Sequence, residues 1–225
     1  RRMSTRCYPL FSRFWRNNQP RFFLRLSTSA FGRNIKSSFG EKLSKTAITA
    51  APIAPVLADR WSPRAYDASY EISQNELLSV LEAGRWAPSA NNLQPWFFSV
   101  AKRGDDLFTQ INSEAIEGFN AAWAPSASAY IVVSAAMITA DGRENNGATY
   151  DAGLATMSMV IQAEELGLAT HQVGGFNRQT MPGILGLAEG VKPLVILVLG
   201  KLAPAETLQG PAYEREIAPR VRKTL

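Results

Sequence analysis

Residues 148–168 place the strongest constraint on what this chain can fold into. The segment carries small or apolar side chains on nearly every helical face until Gln162. A helix without a polar face suits a position that is enclosed on several sides rather than a position on a surface. We therefore expect this helix to lie at the centre of a domain or in an interface between subunits.

The charge of the chain is divided between two regions. Residues 1–46 contain eleven Lys and Arg against the single acid Glu41, whereas residues 47–225 contain 13 basic and 18 acidic residues. The mildly acidic second region argues against a nucleic-acid groove across it. The first region, rich in Arg and Ser, resembles an organelle transit peptide, and translated upstream sequence explains it equally well. We expect residues 1–46 to be a disordered segment outside the folded domain 47–225.

Two residue types are scarce enough to exclude whole classes of site. Cys7 is the only cysteine and His171 the only histidine in the sequence. One cysteine cannot form an internal disulfide or a thiolate cluster, and one histidine removes most zinc sites. We therefore predict no metal site. No run of about 18 apolar residues is present, so no membrane-spanning helix is expected.

Helical and strand patterns alternate along residues 47–225. Ser73 and Glu76 form a capping box, which opens an amphipathic helix that ends before Pro88. The side chains expected to face inward from this helix are Leu77, Leu78, Leu81 and Trp86. Further helices are predicted over Ile53–Asp59, Asp105–Ile116 and Arg178–Leu187, and strands over Trp96–Ala101, Ala129–Met137, Ala169–Val173 and Pro193–Gly200.

Two polar motifs are candidates for binding. Arg60, Ser62 and Arg64 alternate in a segment that Pro63 keeps extended, so their side chains should point to one side and form a cradle for a phosphate. A solvated basic turn is the alternative. Residues 88–96 form a proline-bounded loop whose amides suit the edge of a uracil-like ring, although an ordinary turn has the same pattern.

Two further segments could contact a ligand. Gly174 and Gly175 follow a predicted strand, and two residues without side chains permit a planar ligand to approach the backbone. A tight turn explains them equally well. Arg220 and Arg222 form a second cationic cluster, whose alternative is a charged tail.

Together these motifs resemble the nitroreductase family of FMN-dependent oxidoreductases. The resemblance runs from about Ala47 to the C-terminus. It rests on R-x-S-x-R at Arg60, P-S-x-x-N-x-Q-P-W at Pro88, the pair Phe119-Asn120, the pair Gly175-Phe176 and the closing basic pair, in the family's order. It implies an α+β fold with a central, mostly antiparallel sheet flanked by helices, in a homodimer with FMN at the interface.

The resemblance also implies a role for each matched residue. Arg60 and Ser62 would bind the FMN phosphate and ribityl chain, and Arg64 would lie near the N1/O2 edge, where negative charge accumulates on reduction. The loop residues that would reach the flavin of the other subunit are Pro88, Ser89, Ala90 and Asn92. The remaining implied contacts are Asn120 at the pyrimidine ring, Gly174 and Gly175 near N5, and Arg220 and Arg222 as a second phosphate clamp.

The implied activity is transfer of two electrons from NADH or NADPH, through flavin N5, to a nitroaromatic, a quinone or a similar small molecule. Because the flavin carries the chemistry, no catalytic side chain is required, and Arg64 acts as an electrostatic stabiliser. A reductive dehalogenase-like or other flavin oxidoreductase, and a flavin-binding module without turnover, are the alternatives. The expected location is the cytoplasm, or an organelle matrix if residues 1–46 are a transit peptide.

Two departures from the family pattern bear on these expectations. Trp123 stands where some members have a lysine, so the pyrimidine end is expected to be less cationic. The chain stops at Leu225, directly after the basic pair, where the family often continues. We therefore expect the domain to be truncated at its C-terminus.

Overall fold

A computed structural model describes residues 45–224 of the chain. The helices are α1 (Pro55–Asp59), α2 (Gln74–Arg85), α3 (Asp106–Glu114), α4 (Ala148–Glu165), α5 (Met181–Leu185) and α6 (Gly210–Ile217). The strands are β1 (Trp96–Lys102), β2 (Ala129–Ala136), β3 (Ala169–Val173) and β4 (Val191–Gly200). Each predicted helix and strand is present, with α5 shorter than expected. Across the described residues, no helix combines the length and hydropathy needed to cross a membrane.

The four described strands form one sheet in the order β1-β2-β4-β3, and every neighbouring pair is antiparallel. The α+β fold and the antiparallel sheet are thereby confirmed. The register of β2 against β4 shifts between Val133 and Ser134, opposite Pro193. Proline has no backbone N–H to donate to a ladder, which accounts for an irregularity at this point.

Helix α4 lies against both α2 and the sheet, as its apolar sequence predicts. Its side chains in the core are small or flexible and include Ala152, Ala155, Met159 and Ala163. At Gly84 of α2 an added Cβ would lie only 2.8 Å from Met159 Cγ. The absence of a side chain at Gly84 therefore permits the close approach of the two helices.

The capping box of α2 is present, but two of its expected core residues are exposed. Ser73 Oγ accepts from the Glu76 N–H, and the Ser73 N–H donates to Glu76 Oε2. Leu77 is buried as predicted, whereas the predictions for Leu78 (51% exposed) and Trp86 (73% exposed) were wrong. The helix ends at Arg85, so its periodicity does not extend to Trp86, whose Nε1 donates to Glu82 instead.

Candidate functional site

The extended segment after α1 and the C-terminal segment meet in a single cleft. Arg60, Ser62 and Arg64 line this cleft together with Arg220 and Arg222, and its volume is about 210 Å³. The alternation of these side chains along an extended backbone directs them to one side, as the sequence predicts. Two segments more than 150 residues apart in the chain thus contribute to one concentration of positive charge. We call this site the cation cleft.

A buried carboxylate on α6 fixes the backbone of the cation cleft. Glu216 is 2% exposed, and its two oxygens accept from the N–H groups of Arg64 (2.8 Å) and Ala65 (3.1 Å). Sequence reasoning missed Glu216. Its signal is that it is the single acid in the basic stretch 215–223, a position where a carboxylate is surrounded by opposite charge.

The C-terminal segment is tied to the start of the described chain by its cations. Arg220 Nη1 donates to the carbonyls of Lys45 (2.6 Å) and Ala58 (2.7 Å). Lys45 Nζ in turn donates to the carbonyls of Glu216 and Ala218. Arg220 therefore closes the cation cleft as well as adding charge to it.

The cations of the cleft outnumber the carboxylate beside them, Glu216, and two of their buried N–H donors have no acceptor among the described residues. Arg60 Nε and Arg64 Nε are buried and have no hydrogen-bond partner among the described residues. Burial is the main cause that lowers the pKa of Arg60, and repulsion from Arg220 and Arg222 adds to it. Buried donors without acceptors are costly, and mutually repelling cations at one place favour binding of an anion.

A second group of predicted residues adjoins the cleft through Phe119. The guanidinium carbon of Arg64 lies 5.6 Å from the Phe119 ring centroid, and that of Arg215 lies 4.3 Å from it. The neighbouring Asn120 donates through Nδ2 to the carbonyl of Gly175 (3.1 Å). The structure therefore brings the segment predicted at the pyrimidine ring into contact with the segment predicted near flavin N5.

The backbone at Gly174 is open and is held from behind by an arginine. Neither Gly174 nor Gly175 has a left-handed φ, and an added Cβ at Gly174 would meet nothing within 4 Å. A strained turn is therefore not the reason for these glycines. Arg178, which sequence reasoning missed, donates to the carbonyls of Gly174 (3.1 Å) and Pro193 (2.9 Å) and fixes this turn in place.

Trp123 and His171 lie beneath the site rather than in it. Trp123 is 1% exposed, so its side chain belongs to the core beneath the site, and it adds no charge to the pyrimidine end. Its ring centroid lies 4.6 Å from that of His171. His171 Nδ1 lies 2.8 Å from the Pro63 carbonyl and must carry the proton, since a carbonyl only accepts. Burial lowers the pKa of His171 to about 4.

The proline-bounded loop is locally strained and tied to α4. Asn91, Asn92 and Gln94 have φ values of 50°, 54° and 47°, in the left-handed region that few residues other than glycine adopt. The Ala90 N–H donates to Asp151 Oδ2 (3.1 Å), at the first turn of α4. Strain of this kind persists only where the surrounding structure holds it, and it concentrates at functional sites.

The loop and the cation cleft lie at opposite ends of α4. Glu164, in the last turn of α4, lines a cavity of about 390 Å³ that also borders Trp61 and Pro63 of the extended segment. Thirteen residues separate Asp151 from Glu164, which corresponds to about 20 Å of helix. Pro88, Ser89, Ala90 and Asn92 are therefore not brought to the cleft of their own chain.

The structure is an α+β fold that carries a cleft lined by cations. Residues 57–201 match the model of the nitroreductase family, and the chain belongs to that family.

Individual relatives agree with this membership. The chain is 27% identical over 187 residues to YdgI of Bacillus subtilis, named as a candidate NAD(P)H nitroreductase, covering 66% of this chain and 87% of the relative. It is 40% identical over 78 residues to an oxygen-insensitive NADPH nitroreductase of Helicobacter pylori, covering 35% and 36% of the two chains. A crystal structure described as an oxidoreductase containing FMN superposes with a TM-score of 0.73 at 32% identity, covering 80% of this chain and 93% of that one.

Proposed function

We propose that this protein is an FMN-dependent oxidoreductase that takes two electrons from NADH or NADPH and passes them to a nitroaromatic, a quinone or a similar small acceptor. The observation that carries the proposal is the cation cleft, in which two buried guanidinium donors have no partner among the described residues. Membership of the nitroreductase family and the likeness to an FMN-containing oxidoreductase support it.

The residues of the cleft fit the phosphate end of FMN. Arg60 and Arg222 present guanidinium groups and Ser62 a hydroxyl to the same space. A guanidinium binds a phosphate through two parallel hydrogen bonds, and the two arginines that would do so here come from segments far apart in the chain. Arg220 would support this clamp by its charge, since its Nη1 is already bonded to two carbonyls.

The other predicted contacts fit the ring end. Because Asn120 Nδ2 donates to Gly175, the Oδ1 of the same amide is free to accept from a ring N–H. The open backbone at Gly174 leaves room for a planar ring. Arg64, beside Phe119, would place a positive charge where reduction adds negative charge.

FMN, when bound, supplies the two-electron chemistry between NAD(P)H and the acceptor. The chain's own residues bind and orient the reactants and stabilise charge. His171 is held as a neutral donor to the Pro63 carbonyl and so fixes the extended segment from beneath.

The geometry supports a homodimer in which each site uses two copies of the chain. A cleft of about 210 Å³ is smaller than the roughly 300–1,000 Å³ of pockets that bury a cofactor. The loop at the far end of α4 is surrounded by exposed apolar side chains that a second copy would cover: Trp86, Leu93, Phe97 and Tyr150. We infer that this loop completes the cleft of the partner.

A spectrum of the full chain with FMN, taken before and after anaerobic addition of NADPH, tests the proposal. We expect the protein to be yellow, to retain FMN through gel filtration as a dimer, and to lose its flavin absorbance on reduction. Protein that remains colourless with added FMN would refute the proposal. Bound flavin that NADPH and NADH both fail to bleach would instead identify a binding module without turnover.

Gly174→Ala tests the ring end separately. A Cβ at this position meets no atom of the free protein, so the free energy of unfolding should change by less than about 1 kcal/mol. If the backbone contacts the flavin, the same Cβ should weaken FMN binding about tenfold or more. Gly183→Ala, at another open glycine with ordinary φ, is the control for FMN titrations. Equal affinity in both variants would remove Gly174 from the site.

A further inference from the structure

The cation cleft holds more positive charge than the cofactor can balance. Its lining residues include six cations and no carboxylate: Lys45, Arg60, Arg64, Arg215, Arg220 and Arg222. The phosphate of FMN brings a charge of about −2 and reduction of the ring adds about −1. With the buried carboxylate of Glu216 counted as well, about two positive charges remain for a second anion.

Arg215 is an exposed member of this set and contacts an aromatic ring rather than the backbone. Lys45 and Arg220 donate to backbone carbonyls and so close the cleft. Arg215 is exposed on α6, and its contact among the described residues is with the face of Phe119, at 4.3 Å. Stacking on an aromatic ring orients the planar guanidinium while all of its N–H donors stay available.

Arg215 also contacts the segment that adjoins the ring end of the proposed site. The Phe119 ring that carries it also contacts Arg64, and the next residue, Asn120, is bonded to Gly175. Arg215 thus borders the line between the phosphate end and the ring end of the site. Burial lowers the pKa of Arg64, and the charge of Arg215 lowers it further, so the two cations are close enough to repel each other.

We propose that Arg215 binds an anionic oxygen group of an exchanging substrate, distinct from the FMN phosphate. The group is a phosphate of the nicotinamide donor, above all the 2′-phosphate that separates NADPH from NADH, or a carboxylate of the acceptor. The inference rests on the proposed function, because it presupposes that the ring end of the site receives these substrates.

The test compares full-length wild type with Arg215→Gln and Arg215→Lys, and with Lys192→Gln as a control of equal charge change at an exposed position in β4. One arm measures flavin reduction by NADPH and by NADH. The other measures steady-state reduction of 4-nitrobenzoate and of the uncharged 4-nitrobenzyl alcohol. We expect Arg215→Gln to lower kcat/KM for one anionic partner about tenfold or more, with its uncharged counterpart changed less than about twofold. The arm that responds identifies the source of the anion.

A binding measurement separates this role from a structural one. Calorimetry measures the affinity of the FMN-loaded oxidised protein for adenosine 2′,5′-bisphosphate and for 4-nitrobenzoate. We expect Arg215→Gln to weaken binding of the anion whose kinetic arm responds, and Arg215→Lys to restore part of that affinity. Equal losses for charged and uncharged partners, no loss, or a matching rise in the Kd for FMN would each overturn the proposal. Wild-type protein that binds no FMN would refute the proposed function instead.

Discussion

The cation cleft and the proline-bounded loop reach a defined geometry by opposite means. The cleft is assembled from distant segments, with Glu216 accepting from two backbone N–H groups more than 150 residues away. The loop is shaped locally, by three left-handed residues between two prolines and a bond from Ala90 to α4. The cleft depends on ties between distant segments, whereas the loop depends on its own left-handed backbone and on bonds that hold its two ends, from Ala90 to Asp151 and from Ala136 to Pro95.

In the proposed dimer, this difference would let one chain contribute two unlike halves of a binding site. The cleft needs convergent charge, which is costly to hold together and therefore needs a buried counter-ion. The loop needs a rigid backbone that another molecule can contact, and rigidity is obtained locally at a cost of about 1–3 kcal/mol per strained residue. Helix α4, by its length, keeps the loop and the cleft apart within one chain.

The largest expected effect is at the tie between α6 and the cleft. Glu216→Ala leaves two N–H groups without an acceptor and removes the carboxylate beside Arg64, so unfolding should be easier by about 3–5 kcal/mol in urea titrations. Glu214→Ala, on an exposed turn of the same helix, is the matched control. A loss at Glu216 no greater than at Glu214 would show that the cleft stands without this tie.

The pH dependence of stability should reveal the buried histidine beneath the cleft. The pKa of His171 is about 4 in the folded chain and ordinarily 6.5, so the unfolded chain takes up the proton first. The contribution of His171 to the free energy of unfolding is fully present above pH 6.5. It decreases as the pH falls from 6.5 to 4 and is constant below that, and the total loss is about 3 kcal/mol. In His171→Gln the free energy of unfolding should vary less with pH across that window. If the free energy of unfolding of His171→Gln varies with pH as it does in the wild type, another group causes the pH dependence.

Ligand binding by the cleft should respond to Arg60. Arg60→Gln removes a charged donor to the FMN phosphate and should raise the Kd for FMN by about thirtyfold, or about 2 kcal/mol. Since the substitution also removes repulsion from Arg220 and Arg222, the free protein should lose no stability. Lys192→Gln should leave the FMN affinity unchanged. A variant that loses stability but keeps FMN affinity would make Arg60 a structural residue.

The smallest effect belongs to the loop. Asn91 has φ 50° and ψ 23°, and alanine tolerates this conformation less well than asparagine. Asn91→Ala should therefore lower the free energy of unfolding by about 1 kcal/mol, whereas Asn91→Gly should leave it nearly unchanged. Thermal unfolding of the two variants measures the difference. Identical melting temperatures would mean that the left-handed backbone is not what fixes the loop.

Much of the fold could be predicted because the signals are local. The capping box at Ser73, the apolar helix α4 and the strand runs each depend on residues close together in sequence, and all are present. The prediction that Trp86 faces inward was wrong because a periodic pattern does not show where a helix ends. Glu216 accepts from backbone N–H groups, and Arg178 donates to backbone carbonyls. Sequence reasoning missed both because backbone groups are much the same at every position, so the sequence does not show which of them a side chain will contact.

The amino-acid sequence by itself determined the family, the order of the elements and the alternation of Arg60, Ser62 and Arg64 in an extended segment. Residues 1–44 lie outside the described residues, whereas Lys45 and Thr46 of the same predicted segment are described, and the Lys45 carbonyl accepts from Arg220. Tertiary structure alone decided that the two basic segments share one cleft and that the loop lies about 20 Å away along α4. The reason is physical: backbone propensity acts over a few residues, whereas convergence of charge depends on how rigid elements of fixed length pack.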